Sequence, residues 1–240
     1  MVPFASYKEM ESLGLQLATD FMKKAGKSRV KCFDITGFIT DYLHLNIEYV
    51  SFVDVQKLGF LGDGVTPVKV FENGKETCSI FDNTTMAIDK FLLAPAESAR
   101  LRFVLAHEAA HHIIRVHAPI QSQRIAEYKS SAVSTEMQYT FDDLRMMFNL
   151  NESFADRLAA AILMSSEKFK KEIISKTGNA KIKVYGDGII SESDKIVLNK
   201  IKDTFGVSYS AVYTRLKDLS LFEQHSFEEY CGGVLGFGID

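Results

Sequence analysis

The most constraining feature is the stretch Arg102-Phe-Val-Leu-Ala-His-Glu-Ala-Ala-His-His-Ile-Ile-Arg-Val116, which places His107, Glu108, His111 and His112 inside an otherwise apolar helical run. Phe103, Val104, Leu105, Ala106, Ala109, Ala110, Ile113 and Ile114 are apolar nearly all the way round, as in a helix buried on most sides. His107 and His111 stand one turn apart on one face of it. Burying His107, Glu108 and His111 without a partner is costly, and a metal ion removes that cost.

Two imidazoles at this spacing suit two positions of a tetrahedral zinc ion. Glu108 lies about 100° further round the helix, so it does not share their position but can reach a water beside the metal as a general base. A catalytic zinc takes a third protein ligand and keeps its fourth position for water. The best supply is Asn151-Glu-Ser-Phe-Ala-Asp-Arg-Leu-Ala-Ala-Ala-Ile-Leu-Met164, in which Glu152 and Asp156 are one turn apart on the polar edge of an apolar helix. Glu152 is the expected ligand, and Asp156 is expected to hold the far nitrogen of His107 and so fix its tautomer. Asp142, Asp143 and His117 are rival third ligands, although His117 and His112 point away from the ligand face. His44 and His225 have no motif around them.

The rest of the chain sets this helix pair in an α+β frame. Residues 5 to 25 carry apolar side chains at helical spacing, and Asp34 can cap a helix from Ile35 to His44. Short segments rich in β-branched and aromatic residues follow at 45 to 54, 66 to 71 and 77 to 81, with Asn73-Gly74 as a hairpin signal and a further strand from Thr85 to Asp89. Helical patterning resumes over Ala96 to Val116, Phe141 to Ser165, Asp194 to Phe205 and Ser208 to Leu219. The expectation is a small antiparallel sheet on a helical metal-site core spanning 1 to 190, with a C-terminal helical subdomain over 191 to 240.

Composition narrows the function classes. With 46% hydrophobic and 25% charged residues the chain is ordinary for a globular protein, and its net charge of -3 gives no overall footprint for nucleic acid. Glu9, Glu11 and Asp20 interrupt the N-terminal apolar residues, so neither a secretory signal nor a membrane span is expected and the location reads as cytoplasmic. Cys32, Cys78 and Cys231 form no paired motif and read as reduced thiols. The segment from about 191 to 224 mimics a helix-turn-helix across Gly206. There, however, Lys195, Lys200, Lys202, Arg215 and Lys217 are matched by Glu192, Asp194, Asp203, Asp218 and Glu223, so a DNA-binding role is the weaker reading.

The signature His-Glu-x-x-His followed by Asn-Glu-x-x-x-Asp (Asn151 to Asp156) resembles that of the gluzincin metallopeptidases. The wider text is similar to the ImmA/IrrE family: Arg102 to His112, then Glu152-x-x-Ala-Asp-x-x-Ala-Ala-x-x-Leu-Met164, then Val207-Ser-x-x-Ala-x-x-x-Arg-Leu216. The order holds from about Phe33 to Leu221, and only the two metal helices match closely. Ser165 stands where the family commonly has Pro, and the 40 residues between His111 and Glu152 make 118 to 140 look like an insertion.

The resemblance implies a zinc-dependent intracellular endopeptidase that cleaves a helix-turn-helix repressor encoded nearby, in a mobile element or stress-response operon. Some members carry an N-terminal DNA-binding module, and none is expected ahead of this sequence. A regulatory protein that binds without turnover is the alternative. The strand from Thr85 to Asp89 could hold substrate backbone as an added strand, and no oxyanion partner is assigned: Tyr139, Tyr213 and Arg215 are candidates, with a structural role the stronger reading of each.

Overall fold

The computed structural model describes residues 6–117 and 141–231, and the chain divides into two compact units. The first comprises residues 1–28 and 34–163, the second residues 29–33 and 164–240.

In the first unit, helix α1 (Tyr7–Lys24) starts at a capping box in which the Ser6 hydroxyl accepts from the Glu9 amide while Glu9 reaches back to the Ser6 amide. Its buried residues Met10, Gly14, Ala18 and Phe21 recur every three to four positions. Asp34 caps the next helical segment as expected, its Oδ1 accepting from the Gly37 amide at 3.0 Å. The segment is shorter than the spacing predicts: a three-residue α-turn, α2 (Ile35–Gly37), passes into a π-helical turn that ends at Tyr42, and His44 beyond it takes φ 56°.

Five strands follow: β1 (Asn46–Val50), β2 (Gly59–Leu61), β3 (Pro67–Glu72), β4 (Lys75–Ile80) and β5 (Thr85–Asp89). β3 and β4 form the expected hairpin, with positive φ at both Asn73 (51°) and Gly74 (77°), the conformation that a type I′ turn requires. The other three make a sheet of order β1-β5-β2. It is mixed where an antiparallel sheet was expected: β5 runs parallel to β1 and antiparallel to β2. The parallel pair is possible because the hairpin lies in the long crossover between β1 and β5. Its central strand is β5, with Met86, Ala87 and Ile88 fully buried.

Helix α3 (Ser98–His117) carries the His-Glu-x-x-His string, and helix α4 (Phe141–Leu163) packs against it and against α1. Ala106, Ala109 and Ala110 of α3 and Ala155, Ala159 and Ala161 of α4 are wholly buried, and such small side chains let helix axes approach closely. At the α1 contact, a Cβ added to Gly14 would lie 2.8 Å from the Cβ of Ala161.

The second unit holds α5 (Ser166–Thr177), β6 (Ile182–Tyr185), α6 (Glu192–Phe205), α7 (Tyr209–Asp218) and β7 (Phe222–His225). β6 and β7 pair in parallel, a feature absent from the helical reading of this region. That pairing, with α5 packed on α6, brings residues 164–190 into the C-terminal unit, so the division falls at 163/164 and not at 190/191. α6 and α7 meet at Gly206 (φ 65°) as the sequence predicts. Arg215 is completely buried, its Nε donating to the Met164 carbonyl at 3.0 Å. One of the five cations of this segment is therefore withdrawn from solvent, while Lys195 pairs with Glu192 and Lys202 with Asp203. Among the described residues no helix is long and apolar enough to cross a membrane.

Gly14→Val should destabilise the protein by about 1–3 kcal/mol, the usual cost of overpacking a tight contact. Urea denaturation followed by circular dichroism measures it; an unchanged midpoint would show that α1 does not press on α4 through Gly14.

Candidate metal centre

The i, i+4 spacing on α3 brings His107 and His111 to the same side, and the same spacing on α4 sets Glu152 and Asp156 opposite them. The Nε2 atoms of the two histidines are 3.0 Å apart. Glu152 Oε2 is 3.2 Å from His107 Nε2, and Oε1 is 3.5 Å from His111 Nε2. Ligands about 2.1 Å from a tetrahedral ion lie about 3.4 Å from one another. The three donors match that separation, so His107, His111 and Glu152 could hold a metal ion.

Asp156 Oδ1 sits 2.9 Å from His107 Nδ1, so the imidazole donates there and turns Nε2 toward Glu152 and His111. Burial disfavours the His107 cation, but the hydrogen bonds to Asp156 and Glu152 and the charge of Glu108 outweigh it and raise its pKa to about 10. Hydrogen bonds from His107 and His111 hold Glu152 well below the usual carboxylate range. A cation is thus already favoured between these side chains.

Glu108 is 8% exposed and faces the N-terminal end of β2. A Cβ added at Gly59 would come within 2.5 Å of Glu108 Oε1 and 2.8 Å of its Cγ. Only glycine lets the β2 backbone pass this carboxylate without displacing it. Burial raises the Glu108 pKa, opposed by the His111 and His107 charges and reinforced by Glu152.

The sequence reading missed two features around this carboxylate. Arg115, one turn beyond His111, donates from Nη1 to the Gly62 carbonyl at 3.0 Å and from Nη2 to the Asn83 carbonyl at 2.8 Å. It ties α3 to the chain just after β2 and just before β5. The second is a cleft of about 470 Å³ lined by Asp54 and Gln56 through Gly59 on one side, and by Phe103, Val104, His107 and Glu108 on the other.

Several expected residues lie elsewhere. β5 is flanked on both sides, so it cannot accept a further strand, and β2 is the sheet edge nearest the site. His117 is exposed at the end of α3, and His112 lies against Arg115. Tyr213 packs on Phe222 in the second unit, and Arg215 is committed to Met164 there. Tyr139, the insertion 118–140 and the side chains of Asp142 and Asp143 lie outside the described residues.

No protein-family model matches the chain. None of the curated proteins matches it either. Among solved structures it is similar to a Mycobacterium tuberculosis transcriptional regulator, at 11% identity and a TM-score of 0.46, over 87% of this chain and 47% of that one. The chain therefore spans about half the length of that protein.

The purified protein should bind one zinc ion, with Asp156→Ala weakening it about 10- to 100-fold and Glu152→Ala weakening it further. Full zinc retention in Glu152→Ala would move the third ligand elsewhere. Because the folded pKa of His107 is raised above its unfolded value, chelator-treated protein should be stabilised by that group below about pH 6.5 and lose the contribution as pH rises through about 10. Zinc competes with the same proton, so its affinity should rise over that window; calorimetric titration at several pH values reads both the affinity and the proton released.

Proposed function

We propose that this protein is a zinc-dependent endopeptidase of the ImmA/IrrE type. The observation that carries the reading is the convergence of His107, His111 and Glu152 at metal-ligand spacing with Glu108 buried beside them. Two imidazoles and one carboxylate are a donor set that suits zinc and leaves a position open. Zinc, when bound there, supplies Lewis-acid polarisation of a peptide carbonyl and acidifies the attacking water.

The chain's own residues account for the remaining steps. Glu108 takes a proton from the water as its oxygen attacks the carbonyl carbon, and passes that proton to the nitrogen as the C–N bond breaks. Its raised pKa moves it toward the range where a carboxylate both accepts and returns a proton near neutrality. Asp156 keeps His107 in the tautomer that turns Nε2 inward. An extended peptide laid along the edge of β2 that no described strand pairs would bring its backbone past Gly59 and hence past Glu108.

The substrate class rests on the family resemblance: a helix-turn-helix repressor encoded nearby, which would place the reaction in the cytoplasm. The balanced charges and buried Arg215 of the α6–α7 segment favour this over DNA binding by the chain itself.

Zinc-loaded protein incubated with the neighbouring repressor should yield discrete fragments by mass spectrometry, and Glu108→Gln should slow their appearance by about 100-fold or more while keeping its zinc. Undiminished cleavage by Glu108→Gln would sink the mechanism; tight repressor binding without fragments would make the protein a sequestering regulator. Gly59→Ala should also lose cleavage, because its methyl group must displace the Glu108 carboxylate.

A further inference from the structure

The cleft beside Glu108 carries a charge that the proposed chemistry does not use. Leu58, Phe103 and Val104 give it apolar walls, and Lys57 stands among them, partly buried. The Lys57 ammonium lies over the Phe60 ring, 5.2 Å from its centroid, and makes no salt bridge among the described residues. The two acidic residues of the cleft are otherwise committed. Asp54 Oδ1 accepts the Gln56 amide at 3.0 Å and its carbonyl accepts the Lys57 amide at 3.0 Å, so it folds back on its own turn. Glu108 is buried against Gly59 and feels Lys57 only through space.

We propose that this cleft receives an Asp or Glu side chain of the substrate next to the scissile bond, with Lys57 as the specificity-determining residue. The proposal rests on the peptidase reading above. A carboxylate entering between the apolar walls would gain a charge-assisted hydrogen bond in a partly desolvated setting, where such contacts are strongest. A Lys or Arg side chain would meet a like charge there, and rejection by repulsion contributes to selectivity as much as attraction does. The aromatic ring beneath the ammonium restrains it without neutralising it. The cleft volume is in the range of small-ligand sites and exceeds what one acidic side chain needs, so neighbouring substrate backbone fits as well.

The test uses the full zinc-loaded chain and a proteome-derived peptide library, with cleavage sites read by mass spectrometry. One cleaved peptide is then resynthesised with Glu, Gln or Lys at the selected position. The expected ratio of kcat/KM for Glu over Gln is about tenfold, the scale of one hydrogen bond to a charged group. Lys57→Arg should keep the ratio, Lys57→Met should bring it to about one, and Lys57→Glu should reverse the order in favour of Lys. Because each ratio is taken within one variant, a general loss of activity does not imitate the effect. Circular dichroism and zinc content report whether each variant is folded. Cleavage with no acidic preference, or with a preference that Lys57→Glu leaves unchanged, overturns this proposal alone. Failure of the wild-type chain to cut any peptide or repressor overturns the peptidase reading, and this proposal with it.

Discussion

The contact on which the site depends is the packing of α3 on α4. Glu152 on α4 reaches within 3.2–3.5 Å of His107 and His111 on α3 only because the two helices pack together. The Asp156 bond to His107 then turns proximity into orientation, because it selects which ring nitrogen faces the other donors. Packing therefore sets the distance, and one hydrogen bond sets the direction.

Much of this was legible in the sequence because it is local. An i, i+4 pair on an apolar helix reports its own geometry, so His107, Glu108, His111, Glu152 and Asp156 could be assigned to faces before any fold was known. The Asn73-Gly74 turn was legible for the same reason: its positive φ angles are a property of those two residues. What failed was non-local. β2 is only Gly-Phe-Leu and has no alternation to reveal it, and its position follows from pairing with β5. β6 and β7 mix charged and apolar residues, and their parallel pairing joins segments separated by two helices. The misplaced unit boundary and the assignment of β5 as an edge both trace to pairings of this kind. Nothing in the sequence singles out Arg115, because its acceptors are carbonyls of distant residues.

Those non-local contacts bear directly on the proposed chemistry. Glu108 is positioned from two sides: by its helix, which also carries the histidines, and by the β2 backbone at Gly59, which closes over it. Arg115 joins the two sides, since it extends from α3 to the carbonyl that follows β2. A carboxylate held this way cannot move away from the histidines without shifting the sheet edge. Its burial also raises its pKa, so the contact that restrains Glu108 would, under the proposed mechanism, also move it toward the proton affinity of a general base.

Under the peptidase reading proposed above, the sheet edge would have two roles that constrain each other. If β2 is the strand that receives an extended substrate, a substrate pulling on that edge also presses on Glu108, because no side chain at Gly59 intervenes. Binding and proton transfer are then coupled through one backbone contact, and the loop leading into β2 lies in the same path. Lys57 and Leu58 belong to that lead-in, so a substrate side chain seated beside them would bear on the position of Gly59 as well as on its own recognition. Selectivity expressed through such a segment should appear in kcat as well as in KM, since a poorly seated side chain would leave the edge, and the base behind it, less firmly placed.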